Sequence, residues 1–314
     1  MKIVLLEDLG VAPEKVEKEK EKLEGMGHTL EVFAKSTDPD VLKEEIKDAD
    51  AIILANMPLP EEVVASDPNL KLIDVAFTGV DHVPFAYAKD KGIAVSNASG
   101  YANEAVAELV LAMMIDRLRY VDELSERVKD GQNKGTIRGS LLKGKKVGII
   151  GVGAIGREVA RLCKAFGADV IGFQRRPILT EFVDEQTDLE RLLKESDLVT
   201  IHTPLTEQTK HMIGKEQLAM MKPSAILINT ARGPVVDEEA LAEALNADLL
   251  GGAAVDVYDK EPPQEKDLPI LSAKHVTVTP HVGYDTVESM EKRFDIVFDN
   301  LYSWLDGSQK NAVC

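Results

Sequence analysis

The 314-residue chain has only two cysteines, Cys163 inside an apolar helical pattern and Cys314 at the end, too few for a disulfide framework. That scarcity suits a reducing compartment, and a cytoplasmic location is expected. It is also short of positive charge: 37 Lys and Arg stand against 54 Asp and Glu, a formal net charge of −17. Such a surface repels nucleic-acid phosphates and anionic lipid, so neither is expected as a partner, and small anionic ligands must be met by local positive sites. No uninterrupted apolar run approaches the roughly 20 residues of a membrane span. The first one, Met1 to Leu6, is broken at once by Glu7 and Asp8 and reads as a buried strand rather than a signal segment. Internal repeats and low-complexity tracts are absent, and no metal site is expected.

What is present is an ordinary globular composition, 44% hydrophobic and 29% charged. The length exceeds one typical core of roughly 100 to 200 residues, so two domains are expected. Short apolar runs alternate with helical stretches: 3–6, 51–55, 72–77, 93–96, 147–150, 170–173, 198–201, 225–228, 253–257 and 276–278. This alternation predicts an α/β fold of two doubly wound, Rossmann-like or flavodoxin-like parallel-sheet domains. Residues 103–128 carry apolar positions at helical spacing with no Gly or Pro, which predicts one long helix beginning just after a domain crossing at Ser99-Gly100. Its apolar residues Met113, Met114 and Ile115 suit either the core or a homodimer interface. Residues 129–145 read as a surface loop, and 286–306 as an amphipathic helix.

The strand Lys146 to Ile150 runs directly into Gly151-Val152-Gly153-Ala154-Ile155-Gly156 and then a helix. Gly151 permits the tight turn, Gly153 lets the backbone approach a pyrophosphate, Gly156 allows close helix–strand packing, and the helix N-terminus offers free N–H groups. Glycines, strand and helix in this order predict dinucleotide binding. About 20 residues on, where an acid usually accepts from the ribose hydroxyls of NAD, stand Gln174, Arg175 and Arg176. A neutral Gln and two guanidiniums favour the 2′-phosphate of NADP(H). NAD(H) remains the alternative, with Gln174 on the ribose and the arginines solvated.

Three later segments place polar residues just past strand ends: Asn229-Thr230-Ala231-Arg232-Gly233, Asp256 to Pro262, and Thr279-Pro280-His281-Val282-Gly283. An Arg, a Glu and a His converging beside a nicotinamide would suffice for reversible hydride transfer to a keto acid. With FTGVDH from Phe77, VAELVLAMM from Val106, GVGAIG from Gly151, HTPLT from His202, NTARG from Asn229, DVYDKEPP from Asp256 and TPHVG from Thr279, the chain strongly resembles the D-isomer-specific 2-hydroxyacid dehydrogenases, in their glyoxylate/hydroxypyruvate reductase and glycerate dehydrogenase-like branch.

That resemblance implies an oxidoreductase moving a hydride between NAD(P)H and the C2 carbonyl of a small 2-keto acid such as glyoxylate, hydroxypyruvate or pyruvate, giving the D-2-hydroxy acid. It implies that Arg232 binds the substrate carboxylate and polarises the carbonyl, that His281 donates the proton, and that Glu261 hydrogen-bonds His281 and favours its imidazolium. It assigns Gly79 and Val80 to the substrate carboxylate, with Tyr101 near the pocket. Ala154, Ile155, Thr203, Thr230, Ala231, Asp256 and Gly283 are assigned to the cofactor, Asp256 at the nicotinamide carboxamide. His82 and His202 are read as local hydrogen bonders. It further implies a substrate domain of 1–99 plus 286–314, a nucleotide domain of 100–285 and an active site in the cleft between them. Formate dehydrogenases of the superfamily carry Gln where Glu261 stands, which argues against that activity. The length is expected to leave no room for the regulatory domain of longer phosphoglycerate dehydrogenases. A nucleotide-sensing, corepressor-like interaction protein with little turnover is the alternative class.

Overall fold

The computed structural model describes residues 1–261 and 266–314, and Pro262 and Pro263 of the expected DVYDKEPP motif lie outside them. The chain divides into two compact units, one of Met1–Ala102 with Asp285–Cys314 and one of Asn103–Tyr284.

The first unit alternates β1 (Lys2–Leu5), α1 (Pro13–Gly25), β2 (Thr29–Val32), α2 (Pro39–Glu45), β3 (Ala51–Leu54), α3 (Glu61–Ser66), β4 (Leu72–Val75), α4 (Phe85–Lys91) and β5 (Ala94–Asn97). All four pairings are parallel, in the order β2-β1-β3-β4-β5. Strands β3 and β4 are buried at every position, because helices cover both faces of a parallel sheet. Edge strand β2 buries only Leu30, so it lacks the apolar run that marks its neighbours in the sequence.

The second unit opens with a departure from the expected single long helix. Residues 103–128 form α5 (Asn103–Arg119) and then α6 (Val121–Lys129). The break is Tyr120, whose φ of 55° is left-handed and ends the helical ladder, while the Asp116 carboxylate accepts the Asp122 N–H at 2.9 Å at the start of α6. After an exposed irregular stretch come β6 (Lys146–Ile150), α7 (Ala154–Ala165), β7 (Asp169–Phe173), β8 (Glu185–Gln186), α8 (Leu189–Glu195), β9 (Leu198–Ile201), α9 (Lys215–Met220), β10 (Ile226–Asn229), α10 (Glu238–Asn246), β11 (Gly252–Val255) and β12 (Val276–Val278). They build one parallel sheet in the order β12-β11-β10-β9-β6-β7-β8. Helix α11 (Val287–Leu305), begun by the Thr286 hydroxyl accepting from Ser289 N–H, returns to the first unit and packs on β4 and β5.

Register aligns the carboxyl ends of the second sheet. Ile150 pairs with Phe173 and Ile201, Ile201 with Asn229, Asn229 with Val255, and Val255 with Val278. The sheet order reverses between β6 and β9, and open α/β sheets bind ligands at such a switch point. The segments that begin at Gly151, His202, Asn229, Asp256 and Thr279 therefore leave the same edge of one sheet.

Candidate active site

The glycine turn after β6 has the geometry a nucleotide requires. Gly151 has φ 91°, and a Cβ there would lie 2.6 Å from the His202 carbonyl oxygen. A Cβ on Gly156 would lie 2.2 Å from the Gly151 carbonyl oxygen, so only glycine lets α7 start this close to the turn. At Gly153, by contrast, a Cβ would meet nothing within 4 Å. That residue is the N-cap of α7, no side chain caps it, and Ala154 and Ile155 open the first turn. Open space before an uncapped helix N-terminus fits a pyrophosphate, which would take the N–H groups and the positive end of the dipole. Across the switch point Thr203 follows β9. The Thr230 hydroxyl, after β10, is buried with no hydrogen-bond partner among the described residues, as a group awaiting a ligand would be.

After β7, Gln174 is half-buried and donates to the Pro177 carbonyl at 3.1 Å, while Arg175 and Arg176 are exposed. Gln186 on β8 holds this turn: its amide donates to the carbonyls of Gln174 (3.0 Å) and Arg176 (3.1 Å) and accepts from Ile178 N–H (2.8 Å). Nothing in the sequence signals Gln186, because its partners lie eight to twelve residues away.

His202 donates its backbone N–H to Ile150, and its ring nitrogen lies 2.9 Å from the Thr200 hydroxyl. Burial pushes its pKa down to about 3, so it stays neutral as a local hydrogen bonder. Burial likewise pushes the Cys163 thiol up to about 12, leaving it inert.

Arg232 follows β10 in extended backbone, half-buried. Asn229 sets its turn by local side-chain bonding, accepting from Ala231 N–H (3.1 Å) and donating to the Arg232 carbonyl (3.0 Å). One guanidinium nitrogen of Arg232 donates to the Ala231 carbonyl at 2.7 Å.

Glu261, after β11, accepts the Tyr258 N–H on Oε1 at 2.7 Å and meets His281 Nδ1 with Oε2. An ionised carboxylate only accepts, so the pair places the Nδ1 proton toward Glu261. Tyr284 sets its ring edge against the His281 ring at 5.7 Å. The Tyr258 hydroxyl donates to the Thr279 carbonyl at 2.9 Å; burial first, and then the carboxylates of Asp256 and Glu261, push it up to about 12, so it remains a phenol.

Asp256 is 1% exposed and its carboxylate is engaged within the protein. Oδ1 accepts from the Thr279 hydroxyl (2.5 Å) and Val282 N–H (2.9 Å), and Oδ2 from Gly283 N–H (2.8 Å).

Gly79, Val80 and Tyr101 lie in the first unit. The loop after β4 that carries Gly79 and Val80 is tied by Asn97, whose amide donates to the Thr78 carbonyl at 2.7 Å. Tyr101 is buried, with its ring 5.9 Å from that of Phe77 and the Arg293 guanidinium 5.9 Å from its centroid.

A groove of about 980 Å³ lies elsewhere on the second unit, between α5, residues 140–143, Phe166 and residues 277–279. It meets the segments above at Thr279 alone, so this groove is not the expected site of chemistry. Among the described residues no helix is long and apolar enough to cross a membrane.

Residues 111–283 match the family model for the NAD binding domain of D-isomer specific 2-hydroxyacid dehydrogenases. A glycerate dehydrogenase of Methylorubrum extorquens is 38% identical over 91% of this chain and 92% of its own length. A glyoxylate reductase of Thermococcus litoralis is 37% identical over 85% and 84%. With a D-3-phosphoglycerate dehydrogenase of Methanocaldococcus jannaschii the identity is 37% over 93% of this chain, which spans 56% of that longer relative. The solved structure of a glyoxylate reductase from Paecilomyes thermophila superposes with a TM-score of 0.90 at 29% identity, covering 99% and 98% of the two chains. The chain is therefore a member of the D-isomer-specific 2-hydroxyacid dehydrogenase family.

Proposed function

We propose that this chain reduces a small 2-keto acid of the glyoxylate or hydroxypyruvate class to its D-2-hydroxy acid, using NADPH in preference to NADH. The observation that carries the reading is the His281–Glu261 pair, held through Tyr258 at the carboxyl edge of a sheet whose first turn fits a dinucleotide. When bound, the nicotinamide supplies the hydride. His281 Nε2 gives the proton to the carbonyl oxygen as negative charge develops there, and Glu261, accepting at Nδ1, fixes the ring. Arg232 binds the substrate carboxylate, Gly79 and Val80 are assigned to it by the family resemblance, and Tyr101 is placed beside the pocket, where it would tune the fit of the substrate. Relatives named glyoxylate reductase and glycerate dehydrogenase support this substrate class.

The preference for NADPH rests on the absence of an acid at Gln174 and on two exposed arginines that form no ion pair among the described residues. The Gln186 clamp presents their backbone in one conformation. The test is the steady-state oxidation of NADPH and of NADH with glyoxylate, hydroxypyruvate, pyruvate and phenylpyruvate. Turnover with one of the first two acids and faster use of NADPH is expected; turnover confined to NADH refutes the cofactor assignment, and none with any acid refutes the reaction.

The same reading includes a homodimer. The groove along α5 is rimmed by the exposed apolar residues Val121, Leu141, Phe166 and Val278, with Glu108, Asp116 and Asp122 beside Arg119 and Lys143. A patch carrying both charge signs around an apolar centre suits a second copy turned by a two-fold axis.

A further inference from the structure

We infer that Asp256 is the positioning residue of the proton donor: its carboxylate holds the His281 turn in its working conformation. The inference rests on the reading of His281 as the proton donor. His281 has φ 56°, the left-handed region that residues with a Cβ avoid, and such a conformation persists only where neighbours over-determine it. Asp256 supplies that constraint on both sides of the strained residue. Two positions before His281 it accepts from the Thr279 hydroxyl, and on the two positions after it from the N–H groups of Val282 and Gly283.

These three donors fill both acceptor sites of Oδ1 and one of the two on Oδ2. The fit is close: a Cβ on Gly283 would lie 3.0 Å from Asp256 Oδ2. The rest of the turn is tied as well, Thr279 N–H donating to the Val255 carbonyl at 3.0 Å and the Tyr258 hydroxyl to the Thr279 carbonyl. Tyr258 is also the residue whose N–H anchors Glu261. One segment, 256–261, thus fixes the backbone of His281 through Asp256 and its ring through Glu261.

Two variants separate this role from a cofactor contact. Asp256→Asn keeps an acceptor for Thr279 and Val282 but turns an NH2 toward the Gly283 N–H. Thr279→Val removes one hydrogen bond and leaves the carboxylate intact. In Asp256→Asn, amide hydrogen exchange at Val282 and Gly283 should accelerate at least tenfold in the protein without cofactor. kcat for glyoxylate or hydroxypyruvate should fall about 10- to 100-fold, the size expected for losing a hydrogen bond to a charged group. The Kd for NADPH and NADH, read by fluorescence, and the KM for the keto acid should stay within about twofold, a split that a general loss of structure would not produce. Thr279→Val should lower kcat in the same sense by a smaller factor.

Unchanged exchange at Val282 and Gly283 in Asp256→Asn overturns the clamp, as does a rise in cofactor Kd that accounts for the whole loss of activity. A His281→Ala control that turns over like the wild type overturns the proton-donor reading instead, and with it the catalytic consequence of the clamp.

Discussion

Replacing Glu261 by Gln changes one atom and should remove most of the turnover. The site dictates how the amide must sit. Glu261 Oε1 accepts the Tyr258 N–H at 2.7 Å, so the Gln carbonyl oxygen has to take that place. Its NH2 then faces His281 Nδ1, where the carboxylate now accepts. Two donors cannot share a hydrogen bond, so the contact that orients the His281 ring is lost. The loss is a charge-assisted hydrogen bond worth about 1.5 to 3 kcal/mol. At about 1.4 kcal/mol per decade this predicts a fall in kcat for keto-acid reduction of about 10- to 150-fold. The assay is steady-state NAD(P)H oxidation at saturating keto acid, with cofactor Kd by fluorescence as the control, which should not move. A Glu261→Gln enzyme within threefold of wild-type kcat would refute the argument that the carboxylate sustains the proton donor.

Other expectations follow from other parts of the molecule. Arg175→Ala with Arg176→Ala should weaken NADPH about 10- to 100-fold while leaving NADH within about twofold, measured as two Kd values; equal losses for both would remove the 2′-phosphate assignment. Asp74 on β4 has no exposed surface, and burial pushes it up to about 8 against a weaker opposing hydrogen bond from Asn300, so the folded chain keeps a proton that the unfolded chain releases from about pH 4 upward. Stability should therefore decline by about 1.4 kcal/mol per pH unit between those limits and level off above about 8. Asp74→Asn should gain about 2.7 kcal/mol on wild type between pH 5 and pH 7 in urea unfolding followed by the single tryptophan, Trp304, which belongs to the same unit. A difference that does not change with pH would show that Asp74 is charged in the fold. Leu141→Glu with Phe166→Glu should turn a dimer into a monomer of 34.3 kDa by light scattering, and a wild-type chain already monomeric would dismiss the groove as an interface.

Much of this arrangement was legible in the sequence because parallel strands covered on both faces are spelled as unbroken apolar runs, as in Ala51–Leu54 and Leu198–Ile201. The glycine turn was legible because close approaches at Gly151 and Gly156 leave no other residue possible. Two of the four edge strands escaped for the converse reason: β2 buries one side chain and β8, two residues long, buries none. The break at Tyr120 escaped because no Gly or Pro marks it, and a side chain six residues apart from its partner, Asp116 on Asp122, secures the new helix start. Within the site, Arg232, Glu261 and His281 were visible as polar residues beyond strand ends. Asn229 bonding its own turn is a pattern that turn chemistry could have flagged. The commitments of Asp256 and Gln186 depend on partners brought in by the fold, which no local pattern encodes.

The central claim, that His281 delivers the proton to a 2-keto acid, is met most directly by a single-turnover experiment. Enzyme loaded with NADPH is mixed with glyoxylate or hydroxypyruvate, and loss of the reduced nicotinamide signal is followed for wild type and His281→Ala. The rate in the variant should be at least about 100-fold slower with cofactor binding unchanged, the usual contribution of a positioned general acid. Equal rates in the two proteins would contradict it.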